Sequence, residues 1–210
     1  MFFQKKLRTD GSIEKFKARL VVIGCKQVEG VDFFDTYSLV SKVTTIRVLI
    51  TLSCVFNLEI HQMDVKIVLL NGDLEERIYM SQPEGFVESG KEKKVCKLVK
   101  SLYDLKQAPK QWHEKFDQVV PSYGFQINNS DKCVYVKQFD DSGCVILCLY
   151  VNDILIFGSN MHFINDVKSF LSNNFDMKDL SPLDVILGIK LIKKNDDIHY
   201  TCFSTVIEEI

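Results

Sequence analysis

Residues 144–160 read "CVILCLYVNDILIFGSN". An apolar run enters, Asn152 and Asp153 follow, and a second apolar run leaves. An Asn-Asp pair tolerates the positive φ of a tight turn, and apolar strands on both sides would pair, so the plain reading is a hairpin. That reading explains the turn but not why two polar side chains stand together in so apolar a stretch. The rest of the chain bears on that question.

Working outward, "KCVYVKQFD" (132–140) supplies a further strand before the hairpin. "INDVKSFLSNNF" (164–175) after it has helical spacing, with Ile164, Val167, Phe170 and Leu171 on one side. Upstream, "APKQWHEKFDQVV" (108–120) fits a helix with Pro109 in its first turn and Trp112, Phe116 and Val119 or Val120 facing a core. Pro121 is expected to shorten or kink its last turns. "LEIHQMDV" (58–65) is a strand with Asp64 at its end. "TTIRVLITLSCVF" (44–56) is a helix with Thr44 or Thr45 as N-cap. "SIEKFKARLVVIGC" (12–25) is a strand fed by the turn "TDGS", and "RIYMSQP" and "KVCKLVKSLY" are strand-like. "DVILGIKLIKKNDDIHYT" closes as a hairpin about Asn195–Asp197. From Leu58 on, the order is strand, helix, strand, strand, helix, strand. This is the split βαβ order of an α+β fold, an antiparallel sheet with helices on one face. In that order the strand ending at Asp64 can lie beside the hairpin carrying Asp153.

The totals restrict the classes. A chain of 210 residues that is 46% hydrophobic, with 4 Pro and 10 Gly, can build a real core and is not low-complexity. No run of about 18 apolar residues exists, so no membrane span is expected. "MFF" is followed at once by "QKKLRTD", which predicts no signal peptide. Seven cysteines without zinc spacing fit reduced thiols inside a cell. The net charge is −2. It is unevenly spread, at +4 over residues 1–30 and +5 over 91–115, with the remainder at −11. Two basic segments on an acidic chain suit either a phosphate-binding track or two solvated lysine-rich loops. His61, His113, His162 and His199 form no metal or nucleophile pattern.

Long motifs then carry a resemblance. "HQMDVKIVLLNGDLEERIYMSQPEGF", "KVCKLVKSLYDLKQAPKQWHEKF" and "LCLYVNDILIFGS", in that order, closely resemble the reverse transcriptase of copia-type LTR retrotransposons. "FKARLVVIGCKQVEGVDFFDTYSLVSKVTTIRVLI" and "FDMKDLSPLDVILGIKL" resemble the flanking segments, so the likeness covers roughly residues 3–200. The resemblance implies a right-hand polymerase. Its parts would be partial fingers and a lead-in helix at 1–57, a palm at 58–200 with a fingers-palm insertion around 83–110, and a truncated start of thumb or connection at 201–210. The implied whole is an internal fragment of a Gag-Pol polyprotein. The implied chemistry is template-directed nucleotidyl transfer with two magnesium or manganese ions about 3.5–4 Å apart, held by carboxylates. RNA or DNA template with primer and deoxynucleoside triphosphates would be the partners, in the cytoplasm within a virus-like particle or in the nucleus. Oligomeric state is not legible.

Residue by residue, Asp64 in "MDVK" matches the first metal-binding Asp, against the plainer reading of a surface or capping Asp. The backbone carbonyl of Val65 and the carboxylate of Asp153 complete the implied metal set. The family hairpin reads Tyr-Val-Asp-Asp, and here it reads Tyr150-Val151-Asn152-Asp153. Asn152 keeps the turn but loses one anionic ligand. Lys17 and Arg19 match fingers cations that meet the triphosphate, against an ordinary edge strand. Leu69 stands at the sugar-gate position, usually aromatic. Asp104 stands where the family has Gly, which lets the backbone approach the nucleotide. Lys106 and Gln107 would flank the template and incoming base pair, and Gly188 would belong to the primer grip, against a strand bulge. The departures at Asn152, Leu69 and Asp104, with the truncated thumb, point to a degenerate copy with impaired catalysis. The alternative is a non-catalytic retroelement remnant with at most weak nucleic-acid binding. A metal-dependent nuclease of similar topology is disfavoured, since the nucleotide-site motifs would have no role in it.

Overall fold

The computed structural model describes residues 2–8, 11–74, 76–139 and 143–181, and the backbone of the strands at 185–186, 189–194 and 197–202. In chain order the elements are β1 (Phe2–Leu7), β2 (Ile13–Arg19), α1 (Val43–Val55), β3 (Glu59–Val65), β4 (Tyr79–Ser81) and β5 (Val95–Lys97). There follow α2 (Ala108–Ser122), β6 (Gln126–Ile127), β7 (Val134–Gln138), β8 (Cys144–Tyr150), β9 (Asp153–Gly158) and α3 (Met161–Asn174). Last come β10 (Met177–Asp179), β11 (Val185–Ile186), β12 (Ile189–Lys194) and β13 (Asp197–Cys202). The class is α+β, with antiparallel sheets and three α-helices among the described residues. The chain divides into two compact units, residues 1–38 with 67–116, and residues 39–66 with the chain from 117 onward.

The second unit is built on a six-stranded sheet in the order β10-β3-β9-β8-β7-β6. Period-2 alternation sets its two faces. Ile60 opposes Phe157, and Cys148 opposes Leu155. These residues, with Val134, form one core with Ile46, Leu49 and Ile50 of α1. On the other face His61 meets Lys168 of α3, and Tyr135 donates its hydroxyl hydrogen to Asp117 in the last turns of α2. The expectation of helices on one face is therefore corrected. The two helices that follow Leu58 do share a face, but α1, which precedes it, covers the opposite one. Strands apolar on both sides, such as "CVILCLY" and "DILIFG", demand that second cover.

Three local expectations also change. The N-cap of α1 is Lys42, not Thr44 or Thr45. The capping carboxylate comes from far along the chain. Asp131 accepts from the Lys42 amide at 3.2 Å, the Ser41 hydroxyl at 3.1 Å and the Cys133 amide at 3.0 Å. Burial works to raise the Asp131 carboxyl, but bonds from Thr45, Cys133, Lys42 and Ser41 together hold it below the usual carboxylate range. The segment expected as a strand at 94–103 is one only at 95–97. Pro121 lies inside α2, which ends one residue later at Ser122.

The first unit has small sheets, the β1–β2 ribbon and the β4–β5 pair. Its core joins Ile78, Leu105 and Ala108, with Val22, Leu69, Leu74, Leu98 and Leu102 packed against them. Both basic segments, at 1–30 and 91–115, fall within this unit.

Candidate active site

In the second unit, β3 pairs antiparallel with β9, and the register sets Asp64 opposite Asp153. Directly opposed residues point to the same face with Cα atoms about 4.5–5.5 Å apart, close enough for both carboxylates to reach one cation. Asp153 is the first residue after the turn, paired with Tyr150, so the turn itself is Val151-Asn152. Positive φ falls on Val151, at 56°, rather than on the Asn. A β-branched residue there is strained, and such strain gathers at functional turns. Asn152 is exposed, and its backbone carbonyl accepts from the Val65 amide at 3.0 Å, which ties the turn to the end of β3.

Two neighbours complete the immediate surroundings. Gln62, two residues before Asp64 and on the same face, donates from Nε2 to Oδ1 of Asp153 at 2.7 Å. On the far side of β3, Lys178 of β10 is the register partner of Asp64. Burial pushes the Asp153 carboxyl up, the Gln62 bond pulls it down, and Asp64 pushes it up again, leaving it above its usual value. Neither Gln62 nor Lys178 is singled out by the sequence. The i, i+2 spacing of Gln62 from Asp64 was the available signal, while Lys178 becomes a neighbour only through strand pairing.

The donor set suits a hard divalent ion in kind, since carboxylate oxygens are what magnesium prefers. It is short in number, because no group of three His, Cys, Asp or Glu side chains able to hold a metal occurs among the described residues. Asp64, Asp153 and the Val65 backbone are the residues that would hold one.

The expected nucleotide residues lie in the first unit. Lys17 and Arg19 are on β2. The Arg19 guanidinium sits 5.7 Å from the centre of the Tyr103 ring. Leu69 packs in the apolar core of this unit. Asp104 has φ 75°, the left-handed conformation that favours glycine. Its carboxylate accepts from the Gly24 amide at 3.0 Å. A Cβ on Gly24 would stand 1.7 Å from the Asp104 carbonyl oxygen, so position 24 must be glycine for this approach. Lys106 holds its ammonium 4.9 Å above the Phe33 ring. Gln107 is enclosed at 1% exposure. Its Oε1 accepts from Gln27 at 3.0 Å and its Nε2 donates to the Asp32 carbonyl at 3.1 Å. Gly188 lies outside the described residues.

Comparison with known proteins identifies the family. A profile described as "Reverse transcriptase (RNA-dependent DNA polymerase)" matches residues 1–210. The chain is 49% identical over 191 residues to the "Retrovirus-related Pol polyprotein from transposon TNT 1-94" of Nicotiana tabacum, covering 90% of this chain and 14% of that protein. It is 38% identical over 197 residues to the Pol polyprotein from transposon RE1 of Arabidopsis thaliana, covering 94% and 13%. It also resembles the Saccharomyces cerevisiae "Truncated transposon Ty1-A Gag-Pol polyprotein", at 28% over 181 residues, covering 85% and 14%. No solved structure matches. The chain belongs to the reverse transcriptase (RNA-dependent DNA polymerase) family and corresponds to a segment of copia-type transposon Pol polyproteins. It spans about one seventh of the length of these relatives. Reverse transcriptases normally use divalent metal ions and act on nucleic acid and nucleotides. No helix among the described residues is long and apolar enough to cross a membrane.

Proposed function

We propose that this chain is a template-directed nucleotidyl-transfer domain whose own catalysis is impaired. The observation that carries the reading is the Asp64–Asp153 pair, opposed on one sheet face beside a turn that bears Asn152. In this reading the six-stranded sheet belongs to the palm at 58–200, residues 1–57 are partial fingers with the lead-in helix, residues 83–110 are the insertion, and 201–210 begin the thumb or connection. Bound magnesium or manganese ions would activate the primer hydroxyl and neutralise the departing pyrophosphate. Asp64, Asp153 and the Val65 carbonyl would hold them, and an amide at 152 supplies no anionic ligand. Lys17, Arg19, Lys106 and Gln107 would bind and orient the nucleotide, Leu69 would shape the sugar pocket, and Gly188 would contact the primer end. RNA or DNA template with primer and deoxynucleoside triphosphates are the substrates, in an intracellular setting.

Asn152 and Asp104 favour the impaired reading over a working enzyme, because each 1.36 kcal/mol of lost transition-state stabilisation is about tenfold in rate. They equally admit a non-catalytic remnant that binds nucleic acid weakly through its basic segments. Primer extension separates these readings. The unmodified chain should show no measurable synthesis, Asn152→Asp alone should restore little, and Asn152→Asp with Asp104→Gly, in a chain extended to include a thumb, should restore synthesis that Asp64→Asn then abolishes. Robust synthesis by the unmodified chain would overturn impairment. Synthesis in the repaired variant that survives Asp64→Asn would overturn the site, and none in any variant favours the remnant.

A further inference from the structure

Gln62 stands apart from the residues already given roles. It is a half-buried polar side chain on β3, in the row that carries Asp64 and facing the same way. Its Nε2 lies 2.7 Å from Oδ1 of Asp153, across the strand pair. An ionised carboxylate only accepts hydrogen bonds, so the amide must present its NH₂ to Asp153. The backbone of Gln62 is fixed from the other side. Its amide donates to Ser181 Oγ at 3.1 Å, and its carbonyl accepts from the Leu180 amide at 2.9 Å and from Ser181 Oγ at 3.3 Å. Asp179 anchors that segment in turn, accepting from the Ser181 amide at 2.9 Å. The residues following β10 thus grip the backbone of Gln62, and its side chain grips Asp153.

We propose that Gln62 is a positioning residue for Asp153: its amide holds Oδ1 and leaves Oδ2 as the oxygen available to a divalent cation shared with Asp64. Groups that hydrogen-bond a metal ligand fix its orientation, and their loss typically weakens metal binding about 10–100-fold. The role matters more in this chain than in one with a third carboxylate. With Asn152 in place, two side-chain carboxylates remain, and a rotated Asp153 would leave Asp64 to hold the ion alone. The inference rests on the reading of Asp64 and Asp153 as the metal-binding pair.

The test uses the full chain and its Asn152→Asp variant, with manganese as the probe, followed by electron paramagnetic resonance. Gln62→Met keeps the length of the side chain and removes the donor. It should weaken manganese binding about tenfold in the Asn152→Asp background and by a larger factor in the unmodified chain, with thermal unfolding unchanged within a few degrees. A second measurement needs no metal. The Gln62 side-chain amide resonances should be shifted from free-amide values in the unmodified chain and return toward them in Asp153→Ala. Manganese binding abolished by Asp64→Asn but unaffected by Gln62→Met would overturn the role of Gln62 while leaving the metal pair intact. Binding indifferent to Asp64→Asn would overturn the metal pair itself. Gln62 amide signals indifferent to Asp153→Ala would overturn the hydrogen bond on which the proposal stands.

Discussion

The two units hold their site residues by different means. In the sheet unit, Asp64 and Asp153 are placed by strand register, and the register is enforced by the apolar residues beside them. Ile60, Leu155 and Phe157 occupy the same face and lock into one core with α1. A slip of one residue would turn that whole face away from α1 and break this core. In the other unit, Asp104 and Gln107 are placed by polar contacts between segments about 80 residues apart, Gly24 to Asp104 and Gln27 to Gln107. Its sheets are two-stranded, and such sheets are marginal by themselves. Asp64 and Asp153 therefore sit on a rigid frame. Asp104 and Gln107 sit on a clamp of directional contacts, where one exchanged side chain alters geometry without unfolding a core.

Three changes would break or sharpen that contrast. The largest effect is expected from Phe157→Ala, which empties a fully buried ring site in the sheet unit. A loss of about 3–5 kcal/mol is expected. Chemical denaturation should show it together with the loss of near-ultraviolet signal, and a loss below about 1 kcal/mol would mean that the sheet core is not what enforces the register.

Gly24→Ala should come next. The added methyl meets the Asp104 backbone carbonyl, which cannot swing aside as a side chain would. Overpacking of this kind costs about 1–3 kcal/mol. Hydrogen exchange should rise at the Val22 and Gly24 amides, which are bonded to Tyr103 and Asp104, while amides of β8 and β9 stay protected. Because the clash is with backbone, adding Asp104→Gly should not rescue it. Rescue would show that the Asp104 side chain, not the chain approach, is the obstacle.

The smallest effect concerns pH. Burial pushes the His61 ring below its usual value, and the Lys168 ammonium, 2.8 Å from Nδ1, pushes it further the same way, against the pull of Asp179 and Glu59. The unfolded chain therefore takes up this proton before the folded one does. The stability is fully present above about pH 6.5 and is lost as pH falls through the depressed folded value. Melting temperatures from about pH 7.5 to about pH 5 should fall for the unmodified chain and fall less for His61→Gln. Equal slopes in the two proteins would remove His61 from the account.

Much of this was legible in the residues themselves. The apolar runs "CVILCLY" and "DILIFG" on either side of a polar pair predicted the hairpin, and the helical spacing of Ile164, Val167 and Leu171 predicted α3. Both patterns are local, repeating within a few residues, so the chain declares them without reference to anything distant. The long motifs identified the family for the same reason. What the sequence could not declare is pairing at a distance. That Asp131 caps α1, that α1 covers the second face of the sheet, that Asp104 holds the Gly24 amide, and that Gln62 reaches Asp153 all depend on which strands and loops become neighbours. Asp64 and Asp153 are 89 positions apart in the chain and directly opposed in the sheet. Only the burial of both strands' apolar residues in one core decides that register, because no local preference of either Asp selects the other.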